Sequence, residues 1–250
     1  MLTEERHRLI LSKLENESVV YVNDLVNYLK SSESTIRRDL NTLHNQGKLK
    51  KVHGGATSLN QESINTKEEI VELRQNLNLD EKLKIAKEAA KLIKPNDMVY
   101  LDAGTTTELM IGFIEEKNAV FVTNGIVHAK KLIQNHCKTF ILGGELKLTT
   151  EAIVGVEAIN SLRKYNFTKA FLGTNGIDIE RGYTTPDISE AMVKEEAMYR
   201  SKKSYILCDK SKFKLISSIT FGEINKAIII TTKLKDKSYK ELTKIMEVED

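Results

Sequence analysis

A loop with the composition of a phosphate-binding turn follows the apolar run 98–101. It is Asp102-Ala-Gly-Thr-Thr-Thr107, and a helix-like stretch comes next. Glycine lets the backbone approach a ligand, while threonine hydroxyls and the free N–H groups of a helix start can hold a phosphate. The patterns GxxxxGK[ST] and GxGxxG are both absent, which disfavours ATP and NAD as ligands. Taken alone, the same loop also fits a turn that only caps a helix.

Four more apolar runs, 119–122, 139–142, 169–172 and 204–207, lead into loops rich in Gly, Thr, Asn and Asp. Ligands of open α/β sheets bind beyond the carboxyl ends of the strands, so such loops can converge on one site. A turn or a helix cap explains any one of these residues, but it does not explain the whole set. The set favours a polyol phosphate as the ligand. The candidate effector-binding residues in these loops are Asp102, Gly104, Thr105, Thr106, Thr107, Asn124, Gly143, Gly144, Gly173, Thr174, Gly176, Asp209 and Lys212.

A second set of polar side chains lies on a predicted helix that runs from its N-cap Ser32 to about Gln46. Ile36, Leu40 and Leu43 recur at helical spacing and predict its buried stripe. The opposite face carries arginine and asparagine, which make bidentate hydrogen bonds to guanine and adenine in the major groove. A helix-turn-helix that docks on DNA has this pattern, and so does a three-helix protein-interaction module with a solvated face. The candidate DNA-binding residues are Ser32, Ser34, Thr35, Arg37, Arg38 and Asn41 on this helix, and Lys50, Lys51 and His53 after it.

The charge distribution fits a phosphate-facing surface at this point of the chain. The net charge is only +3, yet residues 30–56 carry six Lys/Arg and two Asp/Glu, whereas residues 1–29 carry three and five. Such a local excess is what DNA binding needs, although a charge run is more often a solvated face. Ser32 and Thr35 are expected to contact phosphate from the positive end of the helix. The basic residues after the helix are expected to contact the DNA backbone or the minor groove.

The elements that must position these residues fall into two domains. Residues 1–56 predict a winged helix-turn-helix whose second helix is capped by Asn23, whose third helix ends at Gly47, and whose wing closes at Gly54-Gly55. Polar residues 57–76 predict a linker with some helix. From 77 to 250, short apolar runs alternate with helical stretches near 81–93, 126–134 and 189–200. This alternation predicts an α/β domain with a mostly parallel sheet covered on both faces.

Composition excludes several classes of protein. No segment approaches the ~18 consecutive apolar residues of a membrane span, and the N-terminus lacks a signal-peptide pattern, so we expect a cytoplasmic protein. The two cysteines, Cys137 and Cys208, form no CxxC pair, and the five histidines form no HxH or HExxH pattern. We therefore expect no disulfide framework, no metal site and no cofactor.

Motifs along nearly the whole chain match the pattern of one known protein family. In the N-terminal domain the similar residues are Ser32-Glu-Ser-Thr-Ile-Arg-Arg-Asp-Leu40, Leu43, Gly47 and Lys51-Val-His-Gly-Gly-Ala56. In the C-terminal domain they are Asp102-Ala-Gly-Thr-Thr106, Thr123-Asn124, Leu142-Gly-Gly144, Gly173, Gly176, Glu190-Ala191 with Lys194, and Asp209 with Lys212-Phe213. These motifs resemble those of the DeoR family of bacterial repressors, and the resemblance favours DNA binding over the interaction module. It also implies a sensor domain similar in fold to ribose-5-phosphate isomerase.

Glu190 and Lys194 enter the candidate effector site through this resemblance. They lie at i and i+4 on a predicted helix, where an ordinary surface ion pair is the alternative interpretation. Within the family, the runs Tyr100–Thr107, Phe171–Gly176 and Tyr183–Asp187 are most similar to the fructose-operon repressors of Gram-positive bacteria. That similarity implies an inducer such as fructose 1-phosphate.

The sequence as a whole predicts a transcriptional repressor of a sugar-utilisation operon and not an enzyme. Its expected partners are double-stranded operator DNA, a sugar phosphate and further copies of itself, in a homodimer or homotetramer. The alternative is a sugar-phosphate isomerase with an appended DNA-binding domain, for which Asp102, Glu190 and Asp209 are the candidate bases. A pure scaffold would leave the polar strand-end loops unexplained.

Overall fold

We analysed a computed structural model of the chain, which describes residues 2–17, 19–52, 54–58, 64–66, 70–234 and 236–249. The chain divides into two compact units, residues 1–63 and residues 64–250. No helix in the described ranges is long and apolar enough to cross a membrane.

The N-terminal unit packs three helices against a small antiparallel sheet. Its elements are α1 (Thr3–Glu17), β1 (Val19–Tyr21), α2 (Val22–Leu29), α3 (Glu33–Asn45), β2 (Lys50–Val52) and β3 (Gly55–Thr57). The strand order is β1-β3-β2, with β3 between the other two. Ile10, Leu25, Ile36, Leu40 and Leu43 are fully buried and form the centre of the core. The predicted winged helix-turn-helix is thereby confirmed.

The start of α2 differs from the prediction. The helix begins at Val22 with Tyr21 as its N-cap, so Asn23 does not cap it. Strand β1 runs directly into α2, and the N–H of Val22 donates to the carbonyl of Gly54 at 2.8 Å. This bond to the wing satisfies an N–H that a side-chain cap would otherwise serve.

The C-terminal unit alternates strands with helices. Its strands are β4 (Met98–Leu101), β5 (Val120–Thr123), β6 (Lys138–Ile141), β7 (Glu145–Lys147), β8 (Ala152–Val154), β9 (Lys169–Gly173), β10 (Gly176–Asp178), β11 (Gly182–Thr185), β12 (Ser204–Leu207), β13 (Ile219–Gly222), β14 (Ile228–Thr232) and β15 (Ile245–Val248). Its α-helices are α4 (Val71–Gln75), α5 (Leu79–Ala90), α6 (Thr105–Ile111), α7 (Ile126–Gln134), α8 (Val156–Leu162) and α9 (Ile188–Tyr199).

A seven-stranded parallel sheet forms the centre of this unit, as predicted. Its order is β15-β14-β12-β9-β4-β5-β6, and every neighbouring pair is parallel. Successive side chains of a strand point to opposite faces. Accordingly, Tyr100 packs into the apolar cluster on one face, whereas Val99 and Leu101 pack into the cluster on the other. Both faces are covered by helices.

The sheet reverses its direction of growth between β4 and β9. From β4 the chain adds β5 and β6 on one side, and it then returns to add β9, β12, β14 and β15 on the other. At such a reversal the loops leave two adjacent strands in opposite directions and open a crevice at the carboxyl ends. The crevice of this sheet therefore lies between the loops that follow Leu101 and Gly173.

Two smaller sheets were not predicted from the sequence. Strands β10, β11 and β13 form one antiparallel sheet, and β7 and β8 form a hairpin. Helix α4 lies inside the range expected to be a linker. Residues 59–63 and 67–69 of that range lie outside the described residues.

Candidate functional site

The polar face of α3 is exposed, as its spacing predicts. Ser32 caps the helix by accepting a hydrogen bond from the Thr35 N–H at 3.3 Å. Gly47 follows the helix in the left-handed conformation, with φ of 64°. The buried stripe therefore faces the core, and the side chains on the opposite face reach solvent. The exposed side chains on this face are Ser34, Arg37, Arg38, Asn41 and Asn45.

Several of the predicted DNA-binding side chains already have partners in the free protein. Arg37 forms an exposed ion pair with Glu33 one turn earlier, at 2.6 Å. The ammonium of Lys51 donates to the carboxamide oxygen of Asn41 at 2.6 Å, which ties strand β2 to α3. Lys50 and Lys51 are exposed on the wing, and His53 lies outside the described residues.

A buried ion pair that the sequence did not reveal fixes α3 against α1. Arg6 donates through Nε to Asp39 Oδ2 at 2.5 Å and through Nη2 to Asp39 Oδ1 at 3.0 Å. His7 Nε2 lies 3.1 Å from Asp39 Oδ1. Burial alone would raise the pKa of Asp39, but the hydrogen bonds from Arg6 and His7 hold that pKa below its ordinary value. Asp39 thus orients the helix that carries the candidate base-reading residues.

The crevice of the large sheet holds a buried carboxylate paired with a buried ammonium. Asp102 accepts a hydrogen bond from the Gly173 N–H at 3.0 Å and also pairs with the ammonium of Lys194. Lys194 donates in addition to the Gly173 carbonyl, at 3.2 Å. Asp102 and Lys194 are 2% and 6% exposed. Strands β4 and β9 and helix α9 therefore meet at one polar point, at the reversal of the sheet.

Hydrogen bonds from two buried side chains fix the conformation of the loop after β4. The Thr107 hydroxyl donates to the Asp102 carbonyl at 2.6 Å and accepts from the Gly104 N–H at 3.0 Å. The side-chain oxygen of Asn124 accepts from the Ala103 N–H at 2.9 Å, and its NH2 group donates to the Ile153 carbonyl at 3.2 Å. Thr107 and Asn124 are both buried, so these two predicted effector residues hold the loop in shape.

Gly104 and Gly173 face each other across the crevice. A Cβ added at Gly104 would lie 3.7 Å from Gly173 Cα and 3.9 Å from Asp102 Oδ2. A Cβ added at Gly173 would lie 3.6 Å from the same carboxylate oxygen. A side chain at either position would occupy space beside Asp102 at van der Waals distance. The two glycines therefore keep the crevice open where the strands diverge.

Glu190 and Asp209 flank this centre with their own partners. Glu190 accepts from the Thr150 hydroxyl at 2.6 Å, and Lys147 Nζ lies 3.5 Å from it. Asp209 accepts from the NH2 group of Asn78 at 2.9 Å and from the Ser211 N–H at 2.9 Å. Both carboxylates are buried, and Lys212 is half-buried.

Other predicted residues lie in or beside the loops, where hydrogen bonds and close backbone contacts involve them. Thr174 donates to the Gly176 carbonyl at 2.8 Å. A Cβ on Gly176 would collide with the Leu215 carbonyl, so this position is closed by backbone packing. Gly144 has a φ of 146° and approaches the Val154 carbonyl in the same way, while Gly143 is exposed beside it.

Sequence reasoning missed two side chains that contact the loop after β4. Lys82 is 4% exposed and donates to the Thr105 hydroxyl at 3.0 Å. His128 is also buried, and its Nε2 lies 3.0 Å from the Gly104 carbonyl and 3.2 Å from the Thr107 hydroxyl. Burial lowers the pKa of His128, which favours the neutral ring. Lys82 had a detectable signal, because it shares the apolar stripe of its helix with Ile85 and Ala89.

The described residues offer no group of three or more His, Cys, Asp and Glu side chains that could hold a metal ion. Cys137 and Cys208 are free thiols and are both buried. Burial raises the pKa of each thiol.

Comparisons with known proteins match the N-terminal and C-terminal parts of the chain to two separate families of domains. Sequence models of two protein families match it: a DeoR-like helix-turn-helix domain over residues 6–62, and a DeoR C terminal sensor domain over residues 77–233. The chain is 45% identical to the HTH-type transcriptional regulator FruR of Bacillus subtilis over 240 residues, 96% of this chain and 94% of that protein. It is 31% identical to the lactose phosphotransferase system repressor of Streptococcus mutans, over 99% of both chains.

Among solved structures, ribose 5-phosphate isomerase A of Methanocaldococcus jannaschii aligns with 54% of this chain and 55% of its own. The TM-score is 0.41 and the sequence identity is 21%.

Proposed function

The chain belongs to the DeoR family of DNA-binding transcriptional regulators, and from this premise we propose that it represses a fructose-utilisation operon under the control of a phosphorylated sugar such as fructose 1-phosphate. The observation that carries the proposal is the 45% identity to FruR along nearly the whole chain. The similarity to a lactose phosphotransferase system repressor supports the broader assignment to a sugar operon.

The exposed face of α3 is the proposed reader of operator DNA. Arg38 and Asn41 are the side chains expected to bond to base edges, and Ser34 and Arg37 lie beside them. Ser32 and Thr35 at the helix start, and Lys50 and Lys51 on the wing, are the proposed phosphate contacts. A protein that binds operator DNA acts where the chromosome is, so we place it in the cytoplasm.

The crevice between β4 and β9 is the proposed effector site. Asp102 would repel a phosphate, but it can accept hydrogen bonds from sugar hydroxyls, and it therefore belongs to the polyol end. Lys194 pairs with Asp102, so we assign it to the polyol end as well. Thr105 lies three residues after Asp102 and is half-buried, and we assign its hydroxyl to the phosphate end.

Calorimetry on the full chain tests the effector site. Thr105→Ala should weaken phosphorylated sugars far more than free fructose, and it should leave operator binding without ligand unchanged. Thr220→Ala, which changes an exposed threonine on β13, is the matched control and should alter neither. If free fructose binds as tightly as fructose 1-phosphate, the effector is not recognised through its phosphate.

The same titration on operator-bound protein tests the regulation. An effector must shift DNA affinity by the factor by which DNA shifts effector affinity, because the two couplings are one free energy. Fructose 1-phosphate that binds the chain but leaves the operator affinity unchanged would rule it out as the effector.

We propose that the repressor is a homodimer or homotetramer, since one recognition helix offers too few base contacts for an operator. Large exposed apolar side chains in the stretch around edge strand β6 support self-association. They are Ile126, Ile133, Phe140, Ile141, Leu146, Leu148 and Val156. Light scattering at micromolar concentration should find an even oligomer, and Leu148→Lys should dissociate it while the control Leu242→Lys should not. A monomer with and without DNA would contradict the proposal.

The chain is a regulator rather than a sugar-phosphate isomerase, because both family models that match it describe domains of transcriptional regulators. Ribose 5-phosphate and fructose 6-phosphate should accordingly not be turned over.

A further inference from the structure

The segment that precedes helix α5 in the C-terminal unit crosses the carboxyl edge of the large sheet. At its start the Val71 N–H donates to the Thr149 carbonyl at 3.0 Å. In its middle the Arg74 carbonyl accepts from the ammonium of Lys82, which also donates to Thr105 at 3.0 Å. At its end Asn78 donates to Asp209 at 2.9 Å. This segment, residues 71–78, is therefore bonded to loops on both sides of the crevice.

Arg74 carries buried donors that nothing in the described ranges accepts. Its Nε and Nη2 atoms are shielded from solvent and have no hydrogen-bond partner. A guanidinium stays charged at every physiological pH, so it cannot relieve its burial by losing a proton. Leaving charged donors without an acceptor is costly, and native proteins retain such groups where a ligand or another partner completes them.

The unpaired Nε and Nη2 donors of Arg74 are suited to bind an anion. Lys82 is a buried cation that bonds both to the backbone carbonyl of Arg74 and to the Thr105 hydroxyl, so it links the segment that carries Arg74 to the start of α6. Arginine offers a planar fork that bonds to two oxygens of a phosphate at once. In the crevice itself, Lys194 pairs with Asp102.

We propose that Arg74 binds the phosphate group of the effector, a phosphate monoester, together with Lys82 and Thr105. The inference rests on the proposed function for the identity of the sugar, but the anion site itself does not. In this proposal the phosphate is bound by Arg74, Lys82 and Thr105, and the sugar hydroxyls are bound at Asp102 and Gly173.

Three ligands on the full chain test this division: inorganic phosphate, fructose 1-phosphate and free fructose. The variants are Arg74→Gln, which removes the charge, Arg74→Lys, which keeps the charge but loses the fork, and Arg181→Gln as the matched control on an exposed arginine. Affinity is measured by calorimetry, a cooperative melting transition without ligand reports whether each variant folds, and ligand-dependent thermal shifts report binding.

Arg74→Gln should weaken fructose 1-phosphate about ten- to a hundred-fold, as the loss of charge-assisted hydrogen bonds does, and should leave free fructose unchanged. It should also abolish the thermal shift given by inorganic phosphate. Arg74→Lys should recover part of the affinity, and Arg181→Gln should behave as the wild type.

Each other outcome has one meaning. If the wild type binds fructose 1-phosphate and Arg74→Gln binds it equally well, the assignment of Arg74 is wrong and the proposed effector stands. If phosphate binding depends on Arg74 while fructose 1-phosphate does not bind, the choice of sugar is wrong and the anion site stands. If the wild type binds neither phosphate nor a phosphorylated sugar, both are overturned.

Discussion

Asp39→Asn should unfold much of the N-terminal unit, because it removes the buried carboxylate that pairs with Arg6. The side chains of Arg6 and Asp39 are only 8% and 3% exposed, and two hydrogen bonds join them. The variant keeps the shape of the carboxylate but removes its charge. Breaking a buried pair from one side costs about 3–5 kcal/mol, because the remaining charge loses its buried counter-ion. A domain of this size has a total stability of roughly 3–9 kcal/mol.

Amide hydrogen exchange on the full chain measures the effect in the right domain. Peptides from α1 and α3 should lose protection by about 3–5 kcal/mol of opening free energy, while peptides from β4 and α5 should not change. Glu33→Gln is the matched control, since it breaks an exposed ion pair in the same helix, whose partners are 52% and 56% exposed. Such an exposed pair contributes about 0.5 kcal/mol or less.

Two further measurements separate the ion pair from a mere packing effect. Replacing both partners, as in Arg6→Met with Asp39→Leu, should recover most of the loss, because no charge is left unpaired. The folded pKa of Asp39 is lowered, so its stabilising contribution is present above the unfolded pKa of about 3.9 and disappears as the pH falls through the folded value. The difference between wild type and Asp39→Asn should therefore be constant above about pH 5 and shrink in acid. A loss in Asp39→Asn no larger than in Glu33→Gln would refute the reasoning.

Three other perturbations address the DNA and the sensor. Arg38→Ala should weaken specific operator binding by about 1–3 kcal/mol and relax specificity at one base position; equal losses on operator and random DNA would reduce Arg38 to a phosphate contact. Lys50→Ala or Lys51→Ala should weaken binding to all DNA and lower the salt slope by about 1 unit, and an unchanged slope would remove the wing from the interface. Burial lowers the pKa of His128, so its stabilising contribution is present above the unfolded pKa of about 6.5 and is lost as the pH falls below it. His128→Gln should therefore flatten the pH dependence of the melting temperature of the C-terminal unit below about pH 6.5, and a profile that matches the wild type would contradict this.

Local patterns predicted most of the large sheet and helix α3. Strands β4 and β12 have the predicted bounds, and α7 runs from Ile126 to Gln134 as expected. These elements carry their signal within themselves, as apolar runs, helical spacing, and the cap at Ser32 with the glycine at 47. The parallel arrangement followed from the alternation of the two kinds of element.

Contacts between residues far apart in the chain could not be predicted from local sequence patterns. Strand β1 is three residues long and exists because it pairs with β3, so its effect on the start of α2 was invisible. Asp39 and Arg6 are 33 residues apart, and Lys82 and Thr105 are 23 apart. Of the candidate effector residues, the structure brings Asp102, Gly104, Gly173 and Lys194 together.

The hydrogen bonds of residues 71–78 also decide where this sensor can be cut from its protein. A fragment that starts at residue 77, where the match to the family model begins, would discard Arg74 and the bond from Val71 to Thr149. The compact unit starts earlier, at Ile64, and Asn65 pairs with Ser217. A chimaeric regulator or a fluorescent biosensor built on this domain should therefore take the chain from Ile64 onward. The segment that would join it to a fused protein is itself part of the ligand-binding domain.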